Sequence, residues 1–322
     1  MDVLSNVFEV TNLSADVLGA REFVAPWGVL IEPMDRPVLH VVSRGGAWLG
    51  RPGSDPVRLN AGDMVLLSDG EAHALASDRE MRNLEPFVVA IARAQNQVVM
   101  PREGKVDSAT EPTVLHSAAY QFAKEGPHPL LSLLPPVIRI PAAQVAADND
   151  LKLVVQLFTS EGARRDFGHQ RVLPRLADAL LVYTLRTWLR EQPEGSYGWF
   201  GALRDRQIGK ALSLIHERPQ DPWTVEGLAR SVAMSRAAFA KRFAELVSEP
   251  PLAYVTRWRM DLAAKMLRES REPVAKIARK VGYVSETAFA KAFRRRRKIA
   301  PGAYRYQRRQ RGSGTGAPLP AQ

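Results

Sequence analysis

The spacing of apolar and polar residues divides the chain into two regimes. Between residues 23 and 90, short apolar or alternating runs stand at Val29-Leu30-Ile31, Pro37-Val38-Leu39-His40-Val41-Val42, Ala47-Trp48-Leu49, Val57-Arg58-Leu59 and Met64-Val65-Leu66-Leu67, separated at close intervals by Gly, Pro, Asp and Asn. Runs of that length with that punctuation predict strands folded into a barrel or sandwich. From about Ala142 the period lengthens. Leu151, Val154, Val155 and Phe158 recur at helical spacing, as do Val172, Leu173, Leu176, Leu180, Tyr183 and Trp188, which predicts two amphipathic helices closing the first region. The Pro- and Gly-rich stretch Glu191-Gln-Pro-Glu-Gly-Ser-Tyr-Gly198 reads as a domain boundary, giving domains at 1–200 and 201–311. Gly312 to Gln322, rich in Gly and Pro and poor in apolar groups, reads as a disordered tail.

Past the boundary the helical pattern repeats. Thr224-Val-Glu-Gly-Leu-Ala-Arg-Ser-Val-Ala-Met-Ser-Arg-Ala-Ala-Phe-Ala-Lys-Arg-Phe243 is echoed by Pro273-Val-Ala-Lys-Ile-Ala-Arg-Lys-Val-Gly-Tyr-Val-Ser-Glu-Thr-Ala-Phe-Ala-Lys-Ala-Phe293. Ser235/Ser285, Phe239/Phe289, Lys241/Lys291, Phe243/Phe293, Pro251/Pro301 and Tyr254/Tyr304 are 50 residues apart, whereas Ala229 and Ala278 are 49 apart, so the second turn is one residue longer. Each copy has the parts of a helix-turn-helix. A short helix enters at Thr224 or Pro273 and buries Val225/Leu228 or Val274/Ile277, and Ala229 or Ala278 lets a second helix approach closely. The turn lies at Ala233-Met234 or at Gly282-Tyr283-Val284, where Gly282 can take a left-handed conformation. Ser235 or Ser285 then caps the second helix, whose buried stripe is Phe239/Phe243/Leu246 or Phe289/Phe293. Subtracting that stripe leaves Arg236, Ala237, Ala240 and Lys241 outward on one helix, and Glu286, Thr287, Ala290 and Lys291 on the other.

Charge sharpens this division. Residues 202–322 carry 26 Lys and Arg against 10 Asp and Glu, a balance of +16, which leaves −5 for residues 1–201 of a chain with net charge +11. A basic domain beside an acidic one is what a polyanion partner such as DNA calls for, since phosphate neutralisation and counterion release supply much of the affinity; a merely soluble basic surface is the plain alternative. The basic run Arg294-Arg295-Arg296-Arg297-Lys298 suits phosphates or water better than base edges, with Arg294 and Arg295 taken as DNA contacts. The chain length of 322 residues suits about two domains, and 45% hydrophobic with 25% charged residues is an ordinary globular composition. No stretch approaches the ~18 apolar residues of a membrane span. Met1-Asp2-Val3-Leu4 does not open a secretory signal, and a chain without cysteine has no disulfides or thiolate metal sites, so a cytoplasmic protein is expected.

On these residues, 205–311 resemble the AraC-type DNA-binding domain, above all in Ile277-Ala-Arg-Lys-Val-Gly-Tyr-Val-Ser-Glu-Thr-Ala-Phe-Ala-Lys-Ala-Phe-Arg-Arg295 and Ala300-Pro-Gly-Ala-Tyr-Arg305. The resemblance implies two helix-turn-helix units joined by one long helix, here Leu252 to about Ser270, inserted into successive major-groove turns of double-stranded DNA. Lys can donate to guanine, Glu can accept from cytosine, and Ala or Thr methyls can touch thymine. One departure is Arg297-Lys298-Ile299-Ala300, where the family has an aromatic, Gly, an apolar residue and Ser; a non-Gly left-handed cap costs ~1 kcal/mol and would reshape the last turn.

Residues 23–190 resemble the cupin-type sensor of such regulators, through Gly62-Asp-Met-Val-Leu-Leu-Ser-Asp-Gly-Glu-Ala-His73, Pro129-Leu-Leu-Ser-Leu-Leu-Pro-Pro136 and Arg175-Leu-Ala-Asp-Ala-Leu-Leu-Val-Tyr183. Catalytic cupins hold a metal by His-x-His, a downstream Glu and a later His; here only His40 and His73 stand at those places, too few for a closed or catalytic site, so no cofactor or metal is expected. His40, His73, His116 and His128 then read as structural or pocket-lining groups, with His40 and His73 the candidates for contact with a small-molecule effector in the barrel mouth. The stripe along Leu173–Leu189 serves either as core or as a self-pairing surface in a homodimer. The expected fold class is α+β in two domains, an N-terminal cupin-like β-barrel with appended helices and a C-terminal all-α double helix-turn-helix. The function implied is ligand-responsive transcription regulation, with RNA polymerase as a partner if the protein activates and no membrane partner. The rivals are a cupin-fold enzyme and an architectural DNA binder without a sensor.

Overall fold

Alternating side chains let a strand cover a core on one face while the other meets solvent, and β-branched residues fit the pleat. In the computed structural model, which describes residues 3–11, 13–34, 36–82, 84–87, 89, 111–121, 134–164, 166–192 and 199–312, there are ten strands, some alternating in this way and others buried along nearly their whole length. They are β1 Ser14–Phe23, β2 Gly28–Ile31, β3 Val38–Arg44, β4 Gly46–Arg51, β5 Ser54–Asn60, β6 Met64–Leu67, β7 His73–Ala76, β8 Leu84–Pro86, β9 Thr113–Gln121 and β10 Val137–Ile140. One sheet has the order β1-β9-β3-β6-β10 and the other β5-β4-β7-β2-β8, and every pairing is antiparallel except β2 with β8. Both sheets feed one apolar cluster that includes Trp27, Ile31, Val42, Leu49, Leu59, Val65, Leu75 and Leu115.

Among the described residues, three helices complete this unit: α2 Ala142–Ala147, α3 Asn149–Arg164 and α4 His169–Glu191. Helix α4 buries Leu173, Ala177, Leu180, Leu181 and Leu185, while Val172, read as part of the same stripe, is exposed. It is pinned to the sheet where Tyr120 donates its hydroxyl to the Ala177 carbonyl (2.9 Å) and Asp178 accepts the Ala15 amide (2.8 Å).

Of the described residues, 3–11 and 199–312 form a second compact unit. Its helices are α1 Val3–Thr11, α5 Trp199–Arg204, α6 Arg206–Glu217, α7 Val225–Ser231, α8 Arg236–Val247, α9 Pro251–Glu269, α10 Val274–Lys280, α11 Glu286–Arg297 and α12 Pro301–Gly312. Helix α1 groups with this helical unit, burying Val3, Val7 and Val10, pairing Glu9 with Lys265 and accepting Arg268 at the Val10 carbonyl (3.0 Å). Among the described residues no helix is long and apolar enough to cross a membrane. His128, residues 129–133 of the second cupin-like phrase, the boundary residues 193–198 and the tail 313–322 lie outside the described residues.

Candidate nucleic-acid interface

The 50-residue repeat is a repeat in space. In the first copy Phe239 packs on Phe243 at 5.5 Å and Phe243 meets Tyr254 edge-on at 5.7 Å and 78°. In the second, Phe289 packs on Phe293 at 5.6 Å and Phe293 meets Tyr304 at 5.4 Å and 77°. The same aromatic ladder therefore fastens the inner face of α8 and of α11, and each helix must turn its other face outward. The turns also correspond. Met234 donates to the Ala229 carbonyl and Tyr283 to the Ala278 carbonyl, each at 2.9 Å, with Ala233 (φ 56) and Gly282 (φ 85) left-handed before them. A Cβ at Gly282 would come within 2.7 Å of the Arg259 guanidinium, which leaves little room for any other residue. The offset changes from 49 to 50 after Tyr283, so the inserted residue is Val284, whose side chain is fully exposed at the entrance to α11.

Both helices start on serine caps. Ser235 Oγ accepts the Ala238 amide (3.2 Å) and Ser285 Oγ the Ala288 amide (3.3 Å). Beyond the caps, Arg236, Ala237 and Lys241 are exposed and Ala240 is half-buried; Glu286, Thr287 and Lys291 are exposed and Ala290 is half-buried. Ala237 and Lys241, and Thr287 and Lys291, lie on the sides of their helices opposite the phenylalanines, Ala240 and Ala290 flank the buried stripe, and Arg236 and Glu286 are exposed by standing at the first helical position. Lys241 stays largely in solvent, with Glu245 no closer than 4.0 Å, so its ammonium is held weakly. Arg236 stands in a first turn, where the helix dipole disfavours a cation, a local cost that makes sense when an anion is to be met there. Arg294 and Arg295 are exposed in the last turn of α11, where cations suit the dipole.

Two residues depart from the sequence reading. Lys298 adopts the left-handed cap (φ 61) without reshaping the turn, as Ser248 does 50 residues earlier (φ 62), and Ile299 still packs on the helical core. Arg297, read with the basic run, is turned inward: its Nη2 donates to Asp261 Oδ1 at 2.7 Å. Helical period alone could have found this, since 297 continues the stripe of 289 and 293. Arg242 is likewise engaged, on Asp205, the residue that caps α6.

In the barrel, His40 and His73 are brought together and buried. His73 Nδ1 lies 3.1 Å from the Glu71 carbonyl, which can only accept, so Nδ1 carries the proton and Nε2 is bare. His40 Nε2 then donates across 2.9 Å to His73 Nε2, and His40 Nδ1 accepts from Ser117 Oγ at 2.7 Å. Burial, with the mutual proximity of the rings, holds His40 well below the usual histidine range, and burial also lowers His73, so this neutral relay is the stable form. Such a closed pair does not fit a cupin metal, because each ring nitrogen is already committed; among the described residues no three His, Cys, Asp or Glu side chains converge to hold a metal ion. Among the described residues, one cavity in the barrel is lined by Gly19, Arg21, Phe23, Val29, Ile31, Leu75, Phe87, Leu115 and Ser117 and offers ≈ 10 Å³, about one water. His40 reaches this lining through Ser117. His116 is buried apart from the pair, bonds Ser43 Oγ at 3.0 Å, and is lowered to about 4 by burial.

A family profile described as a cupin matches residues 2–190, and one described as a helix-turn-helix domain matches residues 228–307. An AraC-like transcription regulator of Streptomyces antibioticus is 33% identical over 306 residues, 94% of this chain and 97% of that protein. The HTH-type transcriptional regulator AlkR of Acinetobacter baylyi is 28% identical over 311 residues, 95% of this chain and 100% of that protein. Among solved structures, the DNA-binding domain of the global transcriptional factor AdpA in complex with a target DNA is 30% identical and aligns with 34% of this chain and 98% of that one, at a TM-score of 0.33.

Proposed function

The chain belongs to the AraC-like family of DNA-binding transcription regulators, with a cupin domain followed by a helix-turn-helix domain, and from that premise we propose that α8 and α11 read two successive major-groove segments of duplex DNA. The observation that carries this is the repeated aromatic ladder, which turns Arg236, Ala237, Ala240 and Lys241 and, 50 residues on, Glu286, Thr287, Ala290 and Lys291 outward on a stretch of charge +16. Arg294 and Arg295 supply phosphate contacts that orient α11 without reading sequence. Selection from a random duplex library with the full chain tests the reading. Enrichment of a defined site, with log affinity falling linearly in log salt, is expected; no enriched sequence, or affinity indifferent to salt, sinks it.

The barrel is the sensor in this proposal, not a catalytic centre. The effector in this proposal is a small molecule that meets Arg21 and Ser117 as polar anchors among the apolar walls of this cavity, which has to widen from ≈ 10 Å³ to admit it. His40 and His73 act behind Ser117 by fixing which way its hydroxyl points. The further partners proposed are a second copy of the chain and, for an activator, RNA polymerase.

A further inference from the structure

We propose that a chain of charges, Glu249–Arg257–Asp261–Arg297, buried at Arg257 and Asp261 and partly exposed at its two ends, locks the two recognition helices at one separation, and that Arg297 is a positioning residue rather than a DNA contact. The inference rests on the reading of α8 and α11 given above. Glu249 follows the end of α8 by two residues, and Arg297 is the last residue of α11. Between them lies α9. From α9, Arg257 donates through Nε to Glu249 Oε1 at 2.8 Å and lies 3.6 Å from Asp261 Oδ2, while Arg297 reaches Asp261 Oδ1 at 2.7 Å. The side chains of Arg257 and Asp261 are each 8% exposed and that of Arg297 13%. One carboxylate thus joins the linking helix to the far end of the second recognition helix, and one guanidinium joins it to the far end of the first.

Two observations separate Arg297 from its neighbours in the run. Arg294, Arg295 and Arg296 are exposed. Position 297 is the repeat partner of Val247, which is buried on the inner stripe of α8, so at this place the fold calls for an inward side chain. An arginine there buries a charge, which is tolerated only where geometry and partners are good, and the function such an arrangement can serve is a fixed register. A second tie on the same helix points the same way. Arg259 donates to the Pro219 and Asp221 carbonyls, which precede α7 of the first helix-turn-helix, at 2.7 and 2.6 Å, and its guanidinium lies 5.9 Å from the Tyr283 ring in the turn of the second helix-turn-helix.

The test uses the full chain and a duplex series built from its selected site, with the two boxes moved apart or together by one or two base pairs. The wild type is expected to lose at least about tenfold in affinity per misplaced box, as for other lost base readout. Arg297→Gln should lose less than about threefold across the same series, with a salt slope unchanged from wild type, because no phosphate contact is removed. Arg295→Gln should instead lower the slope by about one and keep the wild-type spacing profile. Arg297→Lys, which keeps a charge on Asp261, should fall between wild type and Arg297→Gln, and it carries the test where the glutamine variant does not fold. A salt slope reduced by about one in Arg297→Gln would make the residue a phosphate contact and overturn the proposal. So would an equal loss at every spacing, which marks a stabilising role alone. If the wild type selects no two-box site, the reading of α8 and α11 fails first; if it does and Arg297→Gln keeps its spacing profile, only the lock fails.

Discussion

His216 illustrates how a single buried group can tie the helical unit to pH. Its ring stacks on Trp258 at 3.7 Å and 12°, and its Nε2 lies 2.7 Å from the Tyr254 hydroxyl, inside the aromatic ladder that backs α8. Burial first, and the Arg257 charge second, lower its pKa from 6.5 to about 3. Between those values the unfolded chain binds a proton that the folded chain refuses, so stability is fully present above pH 6.5 and falls as pH drops toward 3. The slope for one such group is about 1.4 kcal/mol per pH unit. Denaturant midpoints of wild type and His216→Gln between pH 6.5 and 5, where ordinary carboxylates remain ionised, should show a steeper decline for wild type by about that amount. The buried barrel histidines titrate in the same sense in both proteins and cancel in the comparison. Parallel pH profiles would mean that His216 is protonated in the native state.

At the scale of elements, the recognition helices depend on their caps because their first turns carry Arg236 and Ala237, or Glu286 and Thr287. Ser235→Ala and Ser285→Ala should each cost about 1 kcal/mol, whereas glycine at either position should cost a few tenths, since glycine lets water reach the freed amides. Equal losses for alanine and glycine in chemical denaturation would show that the hydroxyls do not cap. These caps were legible in the sequence, as were the helices themselves, because a repeat doubles every signal and its offset identifies the inserted residue. Strands β2 to β6 were legible for a related reason, alternation between Gly, Pro and Asp punctuation. Strand β9 was not: it is a nearly continuous buried run far along the chain from its partners β1 and β3, and such a run has no period to read. Arg297 was missed because five consecutive basic residues read as a charge before they read as a helix face. Arg257 and Asp261 stand at i,i+4 spacing on one helix, but nothing local ties either to Glu249 or to Arg297, which only tertiary packing brings to them.

For the molecule as a whole, +16 on residues 202–322 against −5 on 1–201 predicts that nonspecific attraction to DNA is general across the basic stretch while sequence preference is divided between two short boxes. The outward sets differ, Arg236, Ala237, Ala240 and Lys241 against Glu286, Thr287, Ala290 and Lys291, so the proposed reading predicts two unlike boxes and an asymmetric site for each protomer. With one helix joining the units, the proposed reading predicts that both recognition helices face one side of the duplex, about one turn or ~34 Å apart. Lys241→Ala should then weaken binding by about 1–3 kcal/mol and relax preference in one box only, and Lys291→Ala should do the same in the other. Arg295→Ala should weaken all sequences alike, as a phosphate contact does. Footprints of the three variants on a shuffled-site library read all of this at once. Loss of preference at the same base pairs in both lysine variants would refute two separate boxes. Unchanged preference in both would make the lysines phosphate contacts and move readout to Arg236, Glu286 and Thr287, or to the shape of the DNA.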